Sequence, residues 1–222
     1  MKIISCPHKD KSCTECLLES SKIESIINIV QAGGLMVYPT DTLYGLGADP
    51  FNDAAVKKVF ITKNRPFDMP RSIAVADSRM LESVAVINKS ARKVIEQFLP
   101  GPLTILLTKK PSLSDLLTSG ENLIGIRIPD HPFALKIIKM VGPITSTSAN
   151  IHSHVNPVDV GMAKKDLGDI VDMYIDCGKT KFAAASTIVD ISEDEAEIVR
   201  SGIISKEEIE NVLSGRRDNR EI

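Results

Sequence analysis

The sequence predicts a single-domain α/β protein with a mixed sheet and flanking helices. Helical and strand-like segments alternate along the 222 residues, which is typical of the α/β class. Two strand candidates, 186–191 and 197–200, follow each other with no helix between them. This arrangement favours a hairpin and therefore a sheet of mixed direction. No segment rich in Pro, Gly or Ser divides the chain, so we expect one domain.

Apolar residues at helical spacing predict the first helix over 17–31, and Gly33-Gly34 ends it. Asp53 is the predicted N-cap of a short second helix that reaches Lys63. A last helix begins at Ser205, where Ser-x-x-Glu is a capping-box signature. The other predicted helices span 90–99, 131–141 and 159–167.

The predicted strands are short apolar segments between these helices. They span 35–39, 72–76, 103–109, 123–128, 144–148, 173–176, 186–191 and 197–200. We expect the domain to cover 17–215, with residues 1–16 as a Cys- and His-containing appendage and 216–222 as a frayed tail.

Charge and composition exclude some function classes. A net charge of -2 with a pI near 6.1 argues against a broad basic surface for nucleic acid. Six Phe, three Tyr and no Trp do not favour stacking platforms for single strands. No apolar run approaches the ~20 residues needed to cross a bilayer, and the N-terminus is too polar for a signal peptide. We therefore expect a cytoplasmic protein without a membrane partner.

The segment PTDTLYGLG over 39–47 follows a predicted buried strand. Two hydroxyls and a carboxylate beside glycines, at the end of a strand, are typical of the place where open α/β sheets bind ligands. Thr, Asp and Gly also form ordinary turns. This segment alone leaves both interpretations open.

A basic cluster follows in residues 57–71, where five basic side chains and one acid give a local excess of +4. Lys63 and Arg65 lie here in the sequence KNRP. The point charge of Lys beside the rigid fork of Arg suits a polyphosphate. Cations are also favoured at helix C-termini, so a solvated helix end stays an alternative.

The segment TSTSAN over 145–150 turns an apolar strand into small hydroxyl residues that end in an amide. Such side chains can donate to phosphate oxygens or base edges, although an edge strand can have the same composition. Arg127 lies within the apolar segment LIGIRIPD. A guanidinium in this setting needs an anionic partner, which is either an acid of the protein or a substrate carboxylate.

Cysteines crowd the N-terminus, whereas Cys177 stands alone. In a reducing compartment such a cluster favours a metal site or spare thiols over disulfides. Cys-x2-Cys is a common half-site for structural zinc; loose thiols on a flexible tail are the alternative. The candidate zinc ligands are Cys6, His8, Cys13 and Cys16.

Together, PTDTLYGLG, KNRP, TSTSAN and the late pair of Ser186 and Arg200 resemble the YrdC/Sua5 family over roughly residues 20–205. The resemblance implies a twisted YrdC-like fold with a positively charged concave pocket. It also implies a nucleotidyltransferase, a threonylcarbamoyl-AMP synthase that uses L-threonine, bicarbonate and ATP and releases pyrophosphate. The product is handed to the transferase machinery that makes the t6A modification at position 37 of tRNA. Weak contact with tRNA stays open.

The resemblance also implies roles for single residues. Lys63 and Arg65 would face the carbamate and the phosphates as catalytic groups. The residues expected to contact the nucleotide are Arg65, Ser148, Asn150, Asn156 and Arg200. The residues expected to contact threonine are Thr42, Ser146, Ser186 and Arg127, the last through the α-carboxylate. Mg²⁺ would arrive with the triphosphate and needs no protein cage.

The sequence departs from the family at two positions. Arg71 follows Pro70 where Pro-Leu is usual, and Ala74 stands where some long members have His. We expect the short form of the family, without the C-terminal Sua5 domain. Two other functions remain: a double-stranded RNA or tRNA-binding module, and another carbamoyl-handling activity. The net charge and scarce aromatics disfavour the first, and the chain length disfavours the second.

Overall fold

The described residues are 1–6, 19–64, 66, 72–193 and 195–215 of a computed structural model. Eleven strands and seven α-helices alternate in this part of the chain, which confirms the α/β class. The strands are β1 (Lys2–Ser5), β2 (Met36–Tyr38), β3 (Gly45–Gly47), β4 (Ser72–Ala74), β5 (Leu103–Thr108), β6 (Leu123–Arg127), β7 (Ile144–Thr145), β8 (Thr147–Ser148), β9 (Met173–Asp176), β10 (Thr187–Asp190) and β11 (Glu197–Arg200). The helices are α1 (Ser20–Gln31), α2 (Asp53–Thr62), α3 (Ser78–Val84), α4 (Lys89–Phe98), α5 (Pro132–Val141), α6 (Val160–Leu167) and α7 (Lys206–Leu213).

The strands divide between two sheets, both of mixed direction. The first sheet has the order β1-β9-β2-β3-β8, and the second has the order β11-β10-β5-β6-β4-β7. Parallel and antiparallel pairs occur in each sheet. The predicted β10–β11 hairpin is confirmed as an antiparallel pair. The mixed sheet is therefore confirmed, with the difference that two sheets replace the predicted single one.

The chain crosses between the sheets at Ser146. The sequence predicts one strand over 144–148, but β7 pairs with β4 in the second sheet and β8 pairs with β3 in the first. The main-chain N–H of Ser146 donates to Ser72 O at 2.7 Å, and Ser72 Oγ donates to Ser146 O at 2.5 Å. These two bonds fix the position of Ser146 between the sheets. The segment 144–148, which was predicted as one strand, therefore contributes one short strand to each sheet.

Helices cover the sheets and enclose three apolar clusters. One cluster joins α3, α4 and α7 to the second sheet. Another joins α1 and α5 to β1, β2 and β9, and the third packs α2 and α6 against the other side of the first sheet. None of the described helices is long and apolar enough to cross a membrane.

The N-terminus differs from the predicted appendage. Residues Lys2–Ser5 form the edge strand β1, which runs parallel to β9. The apolar side chain of Ile4 is buried in the cluster below α1, which explains why these residues join the sheet. Residues 7–18 lie outside the described part of the chain, as does the predicted tail 216–222.

Local sequence signals explain where several helices begin. Asn52, not the predicted Asp53, caps α2, because its Oδ1 accepts from the N–H groups of Ala54 and Ala55 at 3.0 and 3.2 Å. The predicted capping box at the start of α7 is confirmed. Helix α3 was not predicted, because its seven residues are too few to show a clear helical periodicity.

Candidate active site

A cavity of about 330 Å³ lies where the polar ends of the two sheets meet. Side chains that are distant in the sequence line it, because the chain crosses between the sheets beside it. The lining residues are Thr40, Thr42, Leu43, Tyr44, Gly45, Ser72, Thr104, Arg127, Ser146, Thr147, Ser148, Asn156, Ala185, Ser186, Ile188 and Arg200. Seven of the nine nucleotide- and threonine-site residues predicted from the sequence are among them, namely Thr42, Arg127, Ser146, Ser148, Asn156, Ser186 and Arg200.

The PTDT segment forms a fixed turn at one side of the cavity. Thr40 Oγ1 donates to Leu43 O at 2.6 Å and accepts from the N–H groups of Thr42 and Leu43, each at 3.2 Å. Gly45 comes next in the chain and packs against the ring of Tyr38. A Cβ at this position would lie only 2.9 Å from Tyr38 Cε1, so the turn needs glycine here. The segment is therefore both an ordinary turn, whose polar groups are hydrogen-bonded, and part of the cavity wall.

Arg127 lies at the end of β6 with only 6% of its surface exposed. Its Nη2 donates to Asp41 Oδ1, and its Nη1 donates to Thr42 Oγ1, both at 2.6 Å. The internal acid that the sequence left open is therefore Asp41. Burial raises the pKa of the Asp41 carboxyl, and the positive charge of Arg127 opposes this increase. A guanidinium has five N–H donors, so these two bonds leave donors of Arg127 for a ligand in the cavity.

Arg200 brings a second guanidinium to the cavity from β11. Its Nη2 donates to Ser186 O at 2.8 Å and to Ser186 Oγ at 3.1 Å. The hydroxyl of Ser186 also lies 2.9 Å from Thr104 Oγ1. Burial and the like charge of Arg127 lower the pKa of Arg200. Two neighbouring guanidinium groups beside hydroxyls form an electrostatic environment that favours an anion.

Lys63 does not line the cavity, although the resemblance places it against phosphates. The residue is only 2% exposed, and its ammonium lies under the turn 148–150. Nζ donates to Ser148 O, to Asn150 O at 2.6 Å and to Asn150 Oδ1 at 3.1 Å. Asn150 is likewise buried behind the lining residue Ser148, whose hydroxyl donates to Asn150 Oδ1 at 2.6 Å. Arg65 lies outside the described residues.

The predicted zinc site is not supported. Cys6 is bonded to Cys177 in a disulfide, so its sulfur is not free to bind a metal ion in this structure. The parallel register of β1 beside β9 places the two cysteines together, which the sequence spacing does not reveal. His8, Cys13 and Cys16 lie outside the described residues, and the described part of the chain has no group of three His, Cys, Asp or Glu side chains that could hold a metal.

Several polar residues of the site were not predicted as contacts. Thr40, Asp41 and Tyr44 lie in the segment PTDTLYGLG and Thr147 lies in TSTSAN, but the pairing of Asp41 with Arg127 depends on the fold. Ser72 and Thr104 gave no signal of their own, because single hydroxyl residues are common in strands and turns. Of the two departures from the family, Ala74 is fully buried in an apolar cluster, and Arg71 lies outside the described residues.

Comparison with known proteins identifies the family. The sequence profile of the Sua5, YciO and YrdC proteins, described as telomere recombination, matches residues 28–202. A relative from Methanocaldococcus jannaschii is 42% identical over 172 residues, which are 78% of this chain and 81% of the relative. The threonylcarbamoyl-AMP synthase of Pyrococcus abyssi is 35% identical over 198 residues, which are 88% of this chain and 58% of that protein.

Solved structures agree with the sequence comparison. The crystal structure of P. abyssi Sua5 complexed with L-threonine superposes with a TM-score of 0.87 at 33% identity. The match covers 96% of this chain and 61% of that one. The chain therefore belongs to the Sua5, YciO and YrdC family.

Proposed function

We propose that this chain is a threonylcarbamoyl-AMP synthase, an enzyme of the nucleotidyltransferase class. It would form threonylcarbamoyl-AMP and pyrophosphate from L-threonine, bicarbonate and ATP. The observation that carries the proposal is a cavity in which Arg127 and Arg200 stand beside hydroxyls from five separate segments. Family membership supports it, as do relatives that are named threonylcarbamoyl-AMP synthase and a solved relative that binds L-threonine.

The reaction asks mainly for positioning and charge stabilisation. The amine of threonine takes up carbon dioxide from bicarbonate as a carbamate, and water leaves. A carbamate oxygen then attacks the α-phosphorus of ATP, and pyrophosphate leaves. Both reactants are anionic, so fixed cations and hydroxyls that hold them in line supply the catalysis, as in phosphoryl transfer generally.

We assign the threonine side of the cavity to the surroundings of Arg127. Donors of Arg127 that Asp41 and Thr42 do not use would bind the α-carboxylate of threonine. Ser146 and Ser186 line the same cavity and offer hydroxyls to the rest of the amino acid.

We assign the nucleotide side to Ser148, Asn156 and Arg200, which line the cavity. Arg65 remains our prediction for phosphate contact. The described residues that line the cavity include no carboxylate, so we expect Mg²⁺ to be held mainly by the phosphate oxygens. Transfer of the product to the t6A machinery, contact with tRNA and a cytoplasmic location remain predictions.

The direct test is incubation with ATP, L-threonine and labelled bicarbonate, followed by chromatography for a labelled adenylate. We expect product and pyrophosphate only when all three substrates are present. Arg200→Gln should reduce product formation at least about tenfold, because a charge-assisted hydrogen bond is lost. The matched control is Arg92→Gln, since Arg92 forms an exposed ion pair with Glu82 away from the cavity.

Failure to form the adenylate would contradict the proposal. Retention of double-stranded RNA without ATP turnover would favour the binding module instead. Transfer of a carbamoyl group without a requirement for threonine would favour another carbamoyl-handling activity.

A further inference from the structure

Lys63 holds together the turn that carries the nucleotide side of the cavity. It lies directly after α2, and its ammonium donates to two main-chain carbonyls and one side-chain carbonyl of the turn 148–150. An ammonium has three N–H donors and no acceptor. Three oxygens that converge on one buried Nζ therefore form a specific anchor for this turn.

Asn150 extends the anchor to the next loop. Its Nδ2 donates to His154 O at 2.8 Å and to Val155 O at 3.3 Å. The main chain of Lys63 takes part as well, because its carbonyl accepts from the N–H of His152 at 2.9 Å. Each end of the segment 148–156 thus carries a cavity-lining residue, Ser148 and Asn156, and the network of Lys63 and Asn150 lies between them.

We propose that Lys63 is a positioning residue, which orients Ser148 and Asn156 toward the nucleoside and α-phosphate side of the cavity. It does not act as a contact to the β- and γ-phosphates. The identity of the ligand rests on the proposed function, whereas the anchoring of the segment does not. The two roles differ in a measurable way. A phosphate contact matters only for a ligand that has those phosphates, but a misplaced turn weakens every nucleotide that touches it.

The test compares ATP and AMP binding by Lys63→Met, measured calorimetrically without threonine. Methionine keeps an unbranched stem and removes the ammonium. Because hydrogen bonds to a charged group are lost, we expect both dissociation constants to rise at least about tenfold and by similar factors. The dissociation constant of L-threonine should change less than about twofold, since Arg127 and its partners are untouched.

Lys58→Met is the matched control. Lys58 lies on α2, and its Nζ donates to a single main-chain carbonyl, Gly33 O, at 2.8 Å. It does not line the cavity, so its replacement should leave the affinity for both nucleotides unchanged. A large loss of ATP affinity with normal AMP affinity in Lys63→Met would overturn the proposal in favour of a phosphate contact. Normal affinity for both nucleotides would overturn it as well.

Hydrogen exchange of the ligand-free proteins tests the anchor without any substrate. Amides of residues 150–156 should exchange at least about tenfold faster in Lys63→Met than in the wild type or Lys58→Met, because the segment opens more easily. Unchanged exchange would contradict the proposal.

If the wild type forms no adenylate, the proposed function fails, and exchange still decides the role of Lys63. If Lys63→Met does not fold, Asn150→Ala must show the same faster exchange, and normal exchange there would overturn the proposal.

Discussion

Arg127 lines the cavity and Lys63 lies behind the turn 148–150; both are buried cations, and the protein holds them by different contacts. Arg127 donates to the Asp41 carboxylate and to the Thr42 hydroxyl, whereas the contacts of Lys63 include three carbonyl oxygens of one turn. A carboxylate left alone in the interior is costly because it carries a full charge. A carbonyl left without a donor costs much less. Removing Arg127, which we expect to bind threonine, should therefore destabilise the fold more than removing the ammonium of Lys63.

His131 shows a third way to bury a base. Among the described residues, its Nδ1 is buried without a hydrogen-bond partner. Burial lowers the pKa of His131 to about 4, although the neighbouring charge of Asp130 opposes the change. The imidazole therefore stays neutral near pH 7.

The largest effect should follow from breaking the buried ion pair. We expect Asp41→Ala to lower the free energy of unfolding by about 3–5 kcal/mol, because it leaves the charge of Arg127 without its acid. Urea unfolding at pH 7 measures this loss. Asp41→Asn, which keeps an acceptor oxygen, should lose less.

An exposed ion pair provides the control for this prediction. Lys181 Nζ lies 3.2 Å from Asp130 Oδ2, and 58% and 51% of the two side chains are exposed. Lys181→Ala should therefore cost less than about 0.5 kcal/mol. Equal losses for Asp41→Ala and Lys181→Ala would show that burial does not distinguish the two pairs.

The sequence could predict which segments meet at the site better than how they meet. Polar motifs that interrupt apolar strands marked Thr42, Ser146 and Ser148, and these residues line the cavity. The split of 144–148 between two sheets could not be predicted, because periodicity describes a strand and not its partner. The burial of Lys63 could not be predicted either, because the carbonyl oxygens that accept from its ammonium lie about 85 positions away in the sequence.

The second effect concerns the choice of substrate. We expect Arg127→Gln to raise the Michaelis constant for threonine about 100-fold, because a charged donor to the carboxylate is lost. ATP affinity measured without threonine should stay nearly normal. Threonine should also be used far better than valine, since a site that pairs with a substrate hydroxyl rejects an analogue that lacks it. Serine keeps the hydroxyl and lacks only the methyl group, so threonine should be preferred over serine through the loss of that apolar contact.

A double variant separates binding from folding in this experiment. Arg127→Gln leaves Asp41 without its cation, and Asp41→Asn/Arg127→Gln removes both charges. The double variant should unfold less easily than Arg127→Gln alone and should keep the threonine defect. An equal loss of ATP affinity would instead place Arg127 on the nucleotide side of the cavity.

The smallest of these effects depends on pH and arises from His131. Because its pKa falls from 6.5 to about 4 on folding, the unfolded chain binds more protons between these pH values. The stabilisation from the neutral imidazole is therefore complete above pH 6.5 and is lost as the pH falls toward 4. At pH 5 the free energy of unfolding should already be about 2 kcal/mol lower on this account. Replacing His131 by Asn removes the titration and keeps a good N-cap residue for α5. The difference in unfolding free energy between wild type and His131→Asn should thus shift by about 2 kcal/mol between pH 7 and pH 5 in urea titrations. A constant difference over this range would show that His131 titrates alike in the folded and unfolded chain.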